Sequence, residues 1–374
     1  MKIEDYGFIG DMETAALVSR DGSMDWLCLP RFDSGSCFAA LLDGKEHGRW
    51  IIAPENGTRA RRRRYRDGSL ILETEFETEE GVVRLVDCMP LRTKYPSVIR
   101  LVEGVRGTVK MNMELIIRFD YGTTVPWVRK MRDGLVCIGG PDALVLRTDV
   151  ETRGENLTTV ADFTVSKGEA VSFVLSWYPS HEEIPKALDA EESVGCAEKF
   201  WREWSGRCTY GGEWKDAVTR SLITLKGLTY APTGGILAAA TTSLPEKIGG
   251  QRNWDYRYCW LRDATFTLYA LLAAGYHEEA GAWRAWLLRA IAGCADQMQI
   301  MYGVRGERRL IEFELPWLTG FGGSAPVRIG NAAAQQYQLD VYGEVMDCLY
   351  QGRRAGLDPD PAAWQMAKGL IEFL

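Results

Sequence analysis

The sequence predicts an antiparallel β-sandwich in its first half and a helical domain in its second. Three observations carry that division: apolar residues recur with a period of two up to about residue 190, turn signals separate those runs at short spacing, and beyond about 190 the period becomes 3.6. At 374 residues the chain exceeds one ordinary core, so two domains are expected, residues 1–195 and residues 196–374.

The strands are clearest where alternation is strict. Met111, Met113, Leu115, Ile117 and Phe119 alternate with Asn112, Glu114, Ile116, Arg118 and Asp120. Leu70, Leu72, Thr74 and Phe76 alternate with Ile71, Glu73, Glu75 and Glu77, and Val171, Phe173, Leu175 and Trp177 repeat the pattern. Such alternation describes half-buried strands with one wet face. Breaks at Asp67-Gly68, Gly81, Asp133-Gly134 and Gly139-Gly140 fall between them, as in a sandwich of many short strands.

In the second half, Val218, Leu222, Leu225 and Leu228 share one helical face. The apolar run Ala264 to Ala274 reads as a buried helix. Trp283, Trp286, Leu287, Ala290 and Ile291 form another stripe, Leu339, Tyr342, Val345, Met346 and Leu349 another, and Ala363 to Leu374 begins one more. About five helices result, joined by long Gly-rich connections at 230–262 and 299–334, and connections of that length are usually functional. The last stripe has no Gly, Asn or Pro stop signal, which suggests part of a larger helical domain.

Bulk properties exclude several classes. The net charge of −7 disfavours nucleic acid as a partner, and the basic run Arg61-Arg62-Arg63-Arg64-Tyr65-Arg66 reads as an arginine ladder along a strand. Nine scattered cysteines, with no CxxC pair, argue against a zinc site or a disulfide framework. No signal-peptide core and no run of about 18 apolar residues is present, so no membrane span is expected and the cytoplasm is the expected compartment.

The densest chemistry lies in Asn253-Trp254-Asp255-Tyr256-Arg257-Tyr258-Cys259-Trp260-Leu261-Arg262-Asp263. Aromatic plates beside an Arg and an Asp suit a pyranose, whose C–H faces stack on indole and whose hydroxyls take charged, bidentate partners. Arg262 and Asp263 could equally be a surface pair with Asp263 as a helix N-cap. Two further clusters are Glu312-Phe313-Glu314-Leu315-Pro316-Trp317 and Pro326-Val327-Arg328-Ile329-Gly330-Asn331. The first offers two carboxylates for acid–base work or a plain acidic loop edge. The second offers a sugar-binding Arg328 or a helix entry capped by Asn331. His47, His181 and His277 stand alone and read as structural; no metal or cofactor motif occurs.

These segments, taken together, resemble the bacterial branch of glycoside hydrolase family 15, which holds glucoamylases and related trehalases and α-glucosidases. Tyr6 to Asp11 and Leu17 to Asp33 resemble its trehalase-like N-terminal domain. Thr241 to Glu246, the stretch ending Trp260-Leu261-Arg262-Asp263-Ala264, Pro326 to Asn331, and Gln338-Leu339-Asp340-Val341-Tyr342-Gly343-Glu344-Val345 complete the likeness, which runs over essentially the whole chain.

The resemblance implies a β-sandwich followed by an (α/α)6 barrel, an α/α toroid of which about five of twelve helices would be present. It implies inverting hydrolysis of terminal α-glucosides such as maltooligosaccharides or trehalose, without cofactor. Tyr256, Trp260, Arg262 and Asp263 would line the subsite for the terminal glucose, with Arg328 as a further binding residue. Inverting chemistry needs an acid and a base roughly 6.5–9.5 Å apart. In the family the acid follows a Trp in a Trp-Glu motif after the fifth barrel helix, and the base lies near the barrel's end; neither is found here, since Arg202-Glu203-Trp204 has the reverse order. The expectation is therefore an N-terminal portion that holds sugar but lacks the catalytic carboxylates, or alternatively a non-catalytic glucan- or disaccharide-binding remnant.

Overall fold

The computed structural model describes residues 1–55 and 60–374. Two compact units emerge, Met1–Glu203 and Trp204–Leu374.

Among the described residues, the first unit is built on one large antiparallel sheet of fifteen strands. Its organising element is the 20-residue strand Ser97–Ile116. The first half of this strand pairs with Gly81–Cys88 on one side and Ala170–Pro179 on the other. The second half pairs with Arg49–Pro54 and Thr158–Ser166. Between the halves the register slips opposite Val82 and Val83, and Gly107 takes φ +66°. A Cβ there would lie 2.0 Å from the Glu80 carbonyl oxygen, so only glycine fits this bend.

The bend lets both halves face one core, which includes Trp50, Phe76, Leu85, Val102, Met111, Met113 and Phe173. Burial is two-sided in part of the sheet, which single alternation does not express. Ile71, Val86, Cys88, Ile99 and Leu101 point the other way, under α1 (Ala190–Ser205), meeting Ala190, Val194 and Ala197. That is why Leu70, Ile71 and Leu72 are all buried. The helix was legible in the spacing of Ala190, Val194, Ala197, Trp201 and Trp204, a stripe at i, i+4, i+7, i+11 and i+14. With it the described residues hold six α-helices where the periodicity led to about five, and residue 195 lies inside α1.

The arginine ladder forms strand Ala60–Tyr65, and its neutralising partner is the acidic strand Leu72–Glu77. Arg61 meets Glu77 at 2.7 Å, while Arg64 and Arg66 both meet Glu73 at 2.8 Å. Glu73 is thus buried, not on a wet face as its alternation suggests. Burial opposes its ionisation, yet the hydrogen bonds from Arg66 and Arg64 and the charge of Arg84 prevail and hold its carboxyl below the ordinary glutamate value. A carboxyl whose folded pKa is depressed adds stability above its unfolded pKa and loses it as pH falls through the folded value. We expect Glu73→Gln to lower the melting temperature at neutral pH and to flatten its decline on acidification; thermal melts from neutral to acidic pH check this, and an unchanged acid slope would refute it.

In the second unit five helices alternate with irregular connections. They are α2 (Lys215–Gly227), α3 (Leu261–Ala273), α4 (His277–Ala290), α5 (Asp340–Arg354) and α6 (Pro361–Phe373). Asp360 caps α6, accepting from the amides of Ala362 and Ala363, and Pro361 occupies the first turn where its missing N–H costs nothing. Trp283 and Trp286 of α4 stack at 4.5 Å, and Trp286 donates to the Val304 carbonyl at 3.0 Å. α3 is amphipathic rather than wholly buried: Leu268 and Leu271 face inward while Phe266 is 66% exposed. All nine cysteines are present as thiols, six of them buried. No described helix is long and apolar enough to cross a membrane.

Candidate functional site

The Asn253–Asp263 stretch is two short strands and a helix start. Asn253–Asp255 pairs with Thr242–Pro245, and Cys259–Trp260 pairs with Met301–Tyr302 just before α3 begins at Leu261. The connection is held by buried polar anchors. Asp255 and Arg257, 0% and 1% exposed, form a bidentate ion pair with Nε–Oδ1 at 2.9 Å and Nη2–Oδ2 at 2.7 Å. Asp255 also accepts from the Gly330 amide at 3.2 Å, and its carbonyl accepts from the Asn331 amide group at 3.0 Å. Asn253 donates to the carbonyls of Ser324 and Pro326. So Asn253 and Asp255 fasten this connection to residues 324–331, and Arg257 is held on Asp255.

The residues left facing outward are the expected sugar contacts. Tyr256 and Trp260 form a tilted pair with ring centroids 6.1 Å apart. Partial burial, then the negative charges of Glu246 and Asp263, raise the Tyr256 phenol above its ordinary pKa and keep it a neutral donor. Arg262 and Asp263 occupy the first turn of α3, with side chains 41% and 52% exposed and Nη2 3.8 Å from Oδ2. Trp260 is the N-terminal boundary residue and no side chain caps the helix, so Asp263 does not serve as an N-cap. The Arg262 Nη1 reaches Asp340 at 3.3 Å and Gln338 at 3.5 Å.

Arg328 belongs to a neighbouring cluster. Its guanidinium lies 4.6 Å over the Trp254 ring, donates to the Gln251 carbonyl at 3.0 Å, and sits 3.4 Å from Glu312 and 3.3 Å from Glu314. Strand Phe313–Glu314 pairs with Arg328–Ile329, setting Glu314 directly opposite Arg328. Asn331 does cap, accepting from the Ala333 amide at 2.9 Å, but on the short 3-10 turn Ala332–Gln335 rather than on α5. In the sheet unit, His47 Nε2 lies 3.3 Å from Asp43.

Two observations were out of reach of sequence reasoning. One is that Asp255 and Arg257 turn inward and bind each other, and the other is that Asp340 comes to lie beside Arg262. An Asp-x-Arg pair reads the same whether it points at solvent or at itself.

Among solved structures, the fold is similar to that of a bacterial glucoamylase complexed with acarbose, with a TM-score of 0.67 at 12% identity over 100% of this chain and 58% of that one. That likeness is one of fold: a large antiparallel sheet unit ahead of a helical one. Residues 1–201 match the trehalase-like N-terminal family and residues 212–374 match glycosyl hydrolases family 15. The chain belongs to the trehalase-like N-terminal family, which it matches over more than half of its length, and its second unit is similar to glycosyl hydrolases family 15. A trehalase of Mycolicibacterium smegmatis is 36% identical over 410 residues, covering 99% of this chain and 60% of that protein. A trehalase of Mycobacterium tuberculosis is 35% identical over 402 residues, covering 99% and 59%. The chain thus spans about 60% of the length of these curated relatives.

Proposed function

We propose that this protein serves the hydrolysis of terminal α-glucosides, trehalose first and maltooligosaccharides second, as an O-glycosyl hydrolase of inverting type working in the cytoplasm. The observation that carries the reading is the Tyr256–Trp260 wall beside the Arg262–Asp263 clamp at the start of α3. An indole and a phenol offer a stacking surface, and a half-exposed guanidinium and carboxylate offer directed partners for hydroxyls. The relatives named trehalases support the choice of substrate. Arg328 contributes at the rim through the Trp254 face it covers. The helices of the second unit are read as part of an (α/α)6 toroid.

We place no general acid or base among these residues. Glu312 and Glu314 are the carboxylates nearest in sequence to such a role, and both are engaged by Arg328. The chain alone therefore binds glucosides without cleaving them, and the same contacts favour a purely sugar-binding role as the second reading. The check is a paired assay with trehalose and maltotriose, calorimetry for binding and coupled detection for released glucose. Binding without release is expected. Release that disappears in Glu312→Gln or Glu314→Gln would overturn the assignment of these carboxylates, and absence of binding would overturn the clamp.

A further inference from the structure

The Arg262 guanidinium stands between two carboxylates that make unequal use of it. Among the described residues its hydrogen bonds run from Nη1 alone, to Asp340 Oδ2 at 3.3 Å and Gln338 Oε1 at 3.5 Å. The Asp263 carboxylate is 3.8 Å away from Nη2, beyond hydrogen-bonding distance, and Arg262 is the only cation within 4.0 Å of it among the described residues. We propose that Asp340, supported by Gln338, is a positioning residue for the sugar clamp: it holds one edge of the Arg262 guanidinium so that the other edge and the Asp263 carboxylate stay open to glucose hydroxyls. The proposal rests on the clamp reading given above.

The surrounding architecture supports this division of labour. Asp340 opens α5, where a carboxylate is favoured by the exposed amides of the first turn. α3 and α5 are tied together further along: Thr265 Oγ1 and Cys348 Sγ lie 2.9 Å apart, and the Tyr269 hydroxyl donates to Asp347. Arg262, Thr265 and Tyr269 fall on one face of α3 at i, i+3 and i+7, so α5 carries Asp340 to a fixed place beside Arg262. The pair is about half exposed, 41% and 50%, and pairs of that kind add little to folding. Its consequence therefore falls on where the fork points. Without Asp340, the nearest anion for Arg262 is Asp263, and a clamp closed on itself must be opened by the sugar that enters.

Calorimetric titration of the full chain with trehalose and with maltose tests this, using Asp340→Asn, Asp340→Glu, Arg262→Gln and the double variant Arg262→Gln/Asp340→Asn. Asp340→Asn is expected to weaken binding about tenfold with an essentially unchanged melting temperature, and Asp340→Glu to restore most of it. If Asp340 acts through Arg262, Asp340→Asn has no further effect in the Arg262→Gln background. An Asp340→Asn variant that binds as tightly as wild type, or that loses the same factor in both backgrounds, would overturn the proposal while leaving the clamp intact. A wild-type chain that binds neither sugar, or an Arg262→Gln variant with full affinity, would instead remove the clamp on which the proposal stands.

Discussion

Asp255→Ala is expected to destabilise the helical unit by roughly 3–5 kcal/mol, the usual cost of breaking a buried ion pair by deleting one partner. The reason is asymmetric. Asp255 and Arg257 are both solvent-inaccessible, and the carboxylate answers the Arg257 side chain, the Arg257 amide and the Gly330 amide at once. Removing it leaves a guanidinium in a dry setting with its main charge partner gone. Asp255→Asn keeps some of the hydrogen bonds but not the charge, and falls between wild type and Ala. Chemical denaturation followed by tryptophan fluorescence measures the effect, and a loss below about 1 kcal/mol would mean that the remaining partners of Arg257 suffice. Because the same carboxylate ties residues 255–257 to Gly330, weaker sugar binding should accompany the lost stability.

Arg262→Ala should show the opposite profile. Its side chain is 41% exposed and its ion pairs lie at 3.3 and 3.8 Å, so little folding energy depends on it. A hydrogen bond to a charged group contributes about 1.5–3 kcal/mol, so trehalose affinity should fall roughly 10- to 150-fold. Asp263→Ala should behave alike. Calorimetry and thermal melts on the same samples separate the outcomes: a large fall in melting temperature with unchanged affinity would make Arg262 a structural residue.

These two residues show what a sequence can and cannot disclose. Trp260, Arg262 and Asp263 stand out as an aromatic plate beside an Arg and an Asp, and the structure puts them at a half-exposed helix start. Asp255 and Arg257 stood in the same stretch with the same chemistry, yet they turn inward and bind each other, a choice made by Gly330 and Asn331 some 75 residues away. Long-range partners of that kind leave no local signal. The fold shows the same limit. Alternation located the strands through Met111, Met113 and Leu115, but could not tell that a helix covers the opposite face at Ile71, Val86 and Ile99. Glu73 misled for a related reason, since its burial depends on arginines from a different strand and from a following turn.

The bent strand Ser97–Ile116 also governs how the sheet unit can assemble and come apart. Four partner strands drawn from residues 49 to 179 dock on its two halves, so neither half gains its full hydrogen bonding until distant parts of the chain have arrived. Non-local closure of this sort makes for slow folding. That favours cooperative opening of the sheet unit, whereas the proposed sugar clamp stands at the start of α3, beside a connection anchored through Asn253 and Asp255.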